Sequence, residues 1–176
     1  MVNKRKVILT TAAKIIYEEG MQKLTMENIA SHCEMTKGGL LYHFKSKSDL
    51  LLQMNQMVIE EYEAKIEAYQ HELQGKNIYT RAYALVTLDY INNSENILFP
   101  AVFISSHEHK ESKQLWDTYN EKWDLEFEKD EADSEEILAL RLMCDGIWFS
   151  IMYNYTYDTK EPIIQLIQKY CRLLEK

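Results

Sequence analysis

Glycine and proline are scarce in this sequence, five and two among 176 residues. Strand-type alternation of apolar and polar residues is nearly absent as well, so the chain reads as helix-rich. Cysteine is limited to Cys33, Cys144 and Cys171. An odd number, widely spaced and without any CxxC, excludes a disulfide framework and a zinc knuckle and suits a reducing cytoplasm. No apolar run approaches the roughly 18 residues that a membrane span needs. The opening Met-Val-Asn-Lys-Arg-Lys leads into no uninterrupted apolar stretch with a cleavage site, which speaks against a signal peptide. There is no Ser/His/Asp cluster, nucleotide-binding loop or HExxH, so no catalytic set, cofactor or enzyme activity is expected. His107-Glu108-His109 is a weak metal motif: on a helix, residues i and i+2 diverge by about 200°, and the pair cannot chelate together. His107 with Glu111 has workable spacing, but exposed polar residues account for it, and no metal site is expected.

What the chain has in quantity is apolar and aromatic mass, at 46% and 11% of residues, enough for a real core. Its charge is unevenly placed. The total is −8, yet residues 1–48 hold eight lysines and arginines (Lys4, Arg5, Lys6, Lys14, Lys23, Lys37, Lys45 and Lys47) against four glutamates, a local excess of +4. The other 128 residues carry −12. An acidic body repels a polyanion, so any nucleic-acid contact belongs to the first quarter.

Helix punctuation is dense there. A first helix runs from about Lys4 to Glu19, with Ala12, Ala13, Ile15 and Ile16 on its apolar side and Gly20 as a left-handed cap. Thr25 opens a short helix whose Met26, Ile29, Ala30 and Cys33 face inward, its hydroxyl placed to cap the first turn. Thr36 caps another over residues 36–44, where Leu40 and Phe44 at i,i+4 face the core. Only Cys33–Met35 separate the two, which is helix-turn-helix spacing. Ser46-Lys-Ser-Asp49 has the form of a capping box and starts a long helix over roughly 47–73, ending near Gly75. Further helices are expected at about 78–92, 95–106, 111–129, 135–157 and 161–175. Pro100 either kinks its helix or marks the first turn of a new one.

A recognition helix works by setting its N-terminal turn into the major groove while flanking groups hold phosphates. The run TKGGLLYHFKSK, residues 36–47, fits that task. With Leu40 and Phe44 turned inward, Lys37, Gly38, Leu41 and Tyr42 lie on the opposite face beside His43. Gly38 and Gly39 each cost on the order of 1 kcal/mol relative to alanine in a helix, and their use is to let backbone and base edges approach. Lys37, Tyr42, His43 and Lys47 supply phosphate donors, Lys47 at the positive start of the long helix.

These residues carry a resemblance. LTMENIASHCEMTKGGLLYHFKSKSDLL, residues 24–51, with the preceding AAKIIYEEG, resembles the N-terminal domain of the TetR/AcrR family of bacterial transcriptional regulators. The likeness covers roughly residues 5–52 and rests on Gly20, Leu24-Thr25, Ile29-Ala30, Lys37-Gly38, Leu40, Phe44, Lys47 and Leu50. It implies an all-α chain with an N-terminal three-helix helix-turn-helix DNA-binding domain, residues 1–47, and a C-terminal helical ligand-binding and dimerisation domain, residues 48–176. It also implies Thr25, Thr36, Lys37, Tyr42, His43 and Lys47 as DNA contacts. Two departures stand out. Glu34 occupies the turn position where the family usually has glycine, and Leu41 stands where many members carry a phosphate-binding tyrosine.

In the C-terminal body, Arg141 and Asp145 are the only charges between Ile137 and Tyr157. Ile137, Leu140, Cys144, Ile147 and Ile151 line one side; Leu138, Leu142, Phe149, Met152 and Tyr153 line the other. A helix apolar on both sides must be buried on both. The last helix is similarly two-sided, so one face can close the core and the other a second subunit; the resemblance implies that the last two helices pair in a homodimer. Two recognition helices one turn of DNA apart then suit a palindromic operator. Trp116, Tyr119, Trp123 and Phe127 form a helical stripe, Phe99 and Phe103 flank Pro100, and Trp148 and Met152 are i,i+4. Taken singly these are core aromatics. Together Phe99, Phe103, Trp116, Tyr119, Trp123, Trp148 and Met152 are candidate effector contacts in an apolar cavity with a few polar handles.

The expected function is therefore a cytoplasmic, ligand-responsive transcriptional repressor with no membrane segment, released from its operator by a small apolar or amphipathic effector. A rival reading is a helical protein-interaction module on the same fold with weakened DNA binding, motivated by Glu34 and Leu41.

Overall fold

The computed structural model describes residues 4–92, 98–130, 135–153 and 160–176, with the side chains of residues 151 and 152 outside the description. The side chain of the candidate effector contact Met152 thus lies outside the description. Among the described residues the regular elements are helical: α1 (Lys4–Glu19), α2 (Met26–His32), α3 (Lys37–His43), α4 (Lys47–Glu72), α5 (Ile78–Asn92), α6 (Leu98–Glu108), α7 (Lys110–Lys129), α8 (Glu135–Met152) and α9 (Glu161–Leu174). A 3₁₀ turn, Met21–Lys23, follows α1. No described helix is long and apolar enough to cross a membrane. Pro100 sits in the first turn of α6, where its missing N–H has no carbonyl to bond, so it starts this helix and does not kink it.

The chain forms two compact units. The first comprises Met1–Ile59 with Ile97–Asp117, the second Glu60–Asn96 with Thr118–Lys176, so α4 and α7 each contribute residues to both. In the first unit, α6 packs on α1 and α2 on α3. Ile8, Ala12, Ile15 and Ile16 of α1 meet Leu24, Ile29, Leu40, Phe44, Leu50, Met54, Ala101 and Val102 in one core. Ser48 Oγ lies 2.6 Å from His109 Nε2, and Trp116 Nε1 donates to Asn55 Oδ1 at 2.7 Å. Both pairs advance by seven residues, so the starts of α4 and α7 are hydrogen-bonded two turns apart. Asn55 is fully buried and also donates to Leu51 O and Ser105 Oγ, which leaves its amide satisfied.

In the second unit α5 packs on α8 and α9, and α8 on α9. The helix α5 is buried nearly all round. Of the two apolar sides expected on α8, Ile137, Leu140, Cys144 and Ile147 are buried, whereas Leu138, Leu142, Phe149 and, in the turn after the helix, Tyr153 are 56–63% exposed, so nothing among the described residues covers the second side; the side chains of Ile151 and Met152 lie outside the description.

Candidate nucleic-acid interface

The geometry of the first 50 residues is set by hydrogen bonds that the sequence announces. Gly20 ends α1 with φ 89° and ψ 162°, donating its N–H towards the carbonyls of Ile15 and Ile16. That conformation lies beyond the left-handed helical well anticipated for it, in a region open essentially to glycine alone, because the chain must extend at once into the 3₁₀ turn. Thr25 Oγ1 accepts from Asn28 N at 3.1 Å and starts α2; Thr36 Oγ1 accepts from Gly39 N at 3.1 Å and starts α3. Between the two helices Glu34 takes φ 52°, so the turn keeps its left-handed geometry without glycine and carries the strain of a β-carbon there. The Ser46 hydroxyl accepts from Asp49 N, and the Asp49 carboxylate accepts from Lys45 N at 2.8 Å, reaching one residue further back than a strict capping box.

Leu40 and Phe44 have no exposed surface. Burying them fixes the rotation of α3, so that Lys37, Gly38, Leu41 and Tyr42 face outward. Tyr42 is 87% exposed, the largest value among the exposed large apolar side chains, and its ring meets the half-buried His43 edge-on at 5.3 Å. Thr25 and Thr36 are exposed but their side-chain oxygens are engaged as caps. Lys47 is half-buried and donates to Met21 O at 3.3 Å, tying the start of α4 to the turn after α1.

Lys37 is already engaged. Its Nζ lies 2.5 Å from Glu27 Oε1 on α2, and that hydrogen bond holds the Glu27 carboxyl below the usual range. Both side chains are more than half exposed, so the pair is weak and salt-screened. It nonetheless sets a carboxylate beside the cation that would meet a phosphate. Glu27→Gln is therefore expected to raise affinity for any duplex a few-fold and to steepen its salt dependence, checked by anisotropy titrations at several salt concentrations. Unchanged binding would show that Lys37 takes no part.

The aromatic candidates divide between the units. Phe99 and Trp116 pack against the first unit's core with their rings 6.1 Å apart, and Phe103 lies against His107 at 4.4 Å. In the second unit Tyr119 meets Trp123 at 5.9 Å, and Trp123 and Trp148 both contact Tyr62, at 5.1 and 5.8 Å. The sequence reading missed the tyrosines that complete this group: Tyr62 from α4, and Tyr79, Tyr83 and Tyr90, which recur on one side of α5 at i, i+4 and i+11. That spacing is visible in the sequence. Burial lifts the Tyr62 and Tyr83 hydroxyls well above their ordinary range and Tyr90 to about 12. Tyr83 donates to Asp145 at 2.5 Å, and Trp123 to Glu63 at 3.3 Å.

An all-α chain whose second and third helices, joined through a left-handed turn, present a basic and aromatic face defines a helix-turn-helix DNA-binding protein. Residues 8–54 match the family model of bacterial regulatory proteins of the tetR family, and residues 77–172 match that of the tetracyclin repressor-like C-terminal domain. The chain belongs to the TetR family of transcriptional regulators. It is 33% identical over 76 residues to YerO, an uncharacterized HTH-type transcriptional regulator of Bacillus subtilis (strain 168); the match spans 43% of this chain and 26% of YerO, about a quarter of that protein's length. Two solved structures show the same fold throughout. AibR in complex with isovaleryl coenzyme A and operator DNA has a TM-score of 0.67 at 19% identity, covering 98% of both chains. The fatty acid degradation regulator FadR from Bacillus halodurans has a TM-score of 0.69 at 15% identity, covering 99% of this chain and 96% of its own.

Proposed function

We propose that the chain is a homodimeric repressor that holds a palindromic operator through α3 and releases it when a small apolar or amphipathic effector binds the C-terminal body. The observation that carries the DNA half is the exposed face of α3, set by Leu40 and Phe44 beneath it and by the Thr36 cap at its start. Thr25, Thr36, Lys37, Gly38, Gly39, Tyr42, His43 and Lys47 make up this interface. In this reading residues 1–47 read DNA and residues 48–176 serve effector binding and dimerisation.

Dimerisation is supported by the stripe along α8 and the turn after it, where Leu138, Leu142, Phe149 and Tyr153 stay exposed at spacings of four, seven and four. Leu166 and Leu173, seven apart on α9, are exposed as well. Contiguous exposed apolar faces of this kind mark interaction surfaces. For effector binding this reading looks to Tyr119, Trp123 and Trp148, which cluster with the buried Tyr62, Tyr83 and Tyr90 beside the Asp145 and Glu63 carboxylates. AibR, solved with both a coenzyme A ester and operator DNA, is a precedent on this fold. α4 and α7 contribute residues to both units, and in this reading they are the elements through which effector and operator are coupled. In linkage terms, effector and operator each favour a different state.

Selection of tight-binding duplexes from a random pool tests the proposal. The expected winners are inverted repeats with half-site centres about one helical turn, or a multiple of it, apart. A pool that enriches nothing would contradict it and favour the protein-interaction reading.

A further inference from the structure

Resting on the reading that α3 enters the major groove, the side chains of that helix can be asked what they are able to recognise. Bidentate recognition of guanine or adenine relies on arginine, lysine, asparagine or glutamine, and recognition of cytosine on a carboxylate. The helix Lys-Gly-Gly-Leu-Leu-Tyr-His contains no arginine, asparagine, glutamine or acid. Its lysine already lies 2.5 Å from Glu27. The Thr36 hydroxyl before it accepts the cap from Gly39. Beside that paired lysine, the helix turns outward a glycine, a leucine and a tyrosine.

The two glycines are not equivalent. A β-carbon at Gly39 would come within 3.3 Å of Thr36 Oγ1 and 3.7 Å of Met35 Cε, so the cap and the turn explain the missing side chain there. A β-carbon at Gly38 would meet only Thr36 Oγ1, at 4.0 Å, and the residue has ordinary helical backbone. Nothing inside the protein asks for glycine at position 38, and alanine is the better helix former. Leu41 lies one turn on, at i+3, on the same face. It is 40% exposed, while Leu40 and Phe44 supply the anchoring that α3 needs. A lone exposed leucine calls for no explanation, but this one sits in the basic quarter of an acidic chain, between the open backbone of Gly38 and the exposed Tyr42.

We propose that Leu41 reads the 5-methyl group of a thymine in the operator, with the bare Gly38 backbone letting the helix sink deep enough for contact. The thymine methyl is the apolar group that the major-groove edge of a standard base pair offers, and an aliphatic side chain is its matching partner. The consequence is an operator whose half-site has an essential T·A pair under the middle of α3.

The test uses a duplex selected from the random pool and prepared twice, once with thymidine and once with deoxyuridine throughout, which deletes the methyl groups and keeps every hydrogen-bonding edge. The wild-type protein is expected to bind the deoxyuridine duplex roughly fourfold more weakly, the scale of one buried methyl group. Leu41→Ala, a change at a half-exposed position that leaves the core intact, is expected to bind the thymidine duplex more weakly and to lose most of the discrimination between the two. Gly38→Ala is expected to melt at a higher temperature than wild type while binding DNA less tightly, a combination that a purely structural glycine would not give. Wild type that prefers the selected duplex over scrambled DNA but ignores the methyl groups overturns this inference alone. The same follows if Leu41→Ala keeps the full discrimination. Wild type that binds selected and scrambled duplexes alike overturns the DNA-binding reading beneath it.

Discussion

Leu142→Glu combined with Phe149→Glu is expected to give a folded monomer that has lost high-affinity binding to its duplex. Both positions are more than half exposed, so neither substitution disturbs the core formed by Leu140, Cys144 and Ile147 on the opposite side of α8. In the assembled dimer the same positions would be covered. A two-fold contact places each change twice, so four carboxylates would have to be stripped of water without partners, at several kcal/mol for each fully buried charge. The monomer then holds one half-site in place of two, and linking two half-sites is worth roughly 10²–10⁴ in affinity. Light scattering after size exclusion reads the mass, circular dichroism the fold, and anisotropy the binding. A variant that remains dimeric would place the interface elsewhere.

Phe44→Ala has the largest expected effect on stability. Phe44 is among the largest fully buried side chains, and it pins the C-terminal end of α3 against the core that Ile8, Ile15, Leu40 and Leu50 share. The Arg5 guanidinium lies 4.9 Å from its ring centre. Truncation removes the ring and leaves a cavity beneath the reading face, at about 3–5 kcal/mol. The urea midpoint of the first unit should fall accordingly, and DNA binding should disappear even where most molecules stay folded, because α3 loses its fixed rotation. An unchanged midpoint would show that the ring is not the anchor assigned to it.

Much of this was legible in the sequence because its signals are local. Caps, turns and i,i+4 anchors act within a few residues, so Thr25, Thr36, Leu40 and Phe44 could be given their positions from spacing alone. The two faces of α8 were legible for the same reason. Other features were not local. That Lys37 would face Glu27, ten residues away across the turn, depends on how α2 and α3 cross. The aromatic stripe on α7 read as one set, yet Trp116 joins the first unit and Trp123 the second, because α7 contributes residues to both. Asn55 gave no sign in the sequence of being the buried centre of hydrogen bonds to Trp116 and Ser105, since those partners lie 61 and 50 residues on. Tyr79, Tyr83 and Tyr90 were recoverable from their spacing, but only the fold shows that Tyr62 joins them.

The central claim is sequence-specific binding of duplex DNA by the face of α3. Fluorescence anisotropy of the intact protein with DNA from its own upstream region, titrated against salt and scrambled competitor, tests it most directly. The account predicts tight binding that survives a large excess of competitor and weakens steeply with salt, the slope falling by about one phosphate contact in Lys47→Ala. Binding no better than to scrambled DNA, for the native region and the selected duplexes alike, would contradict it.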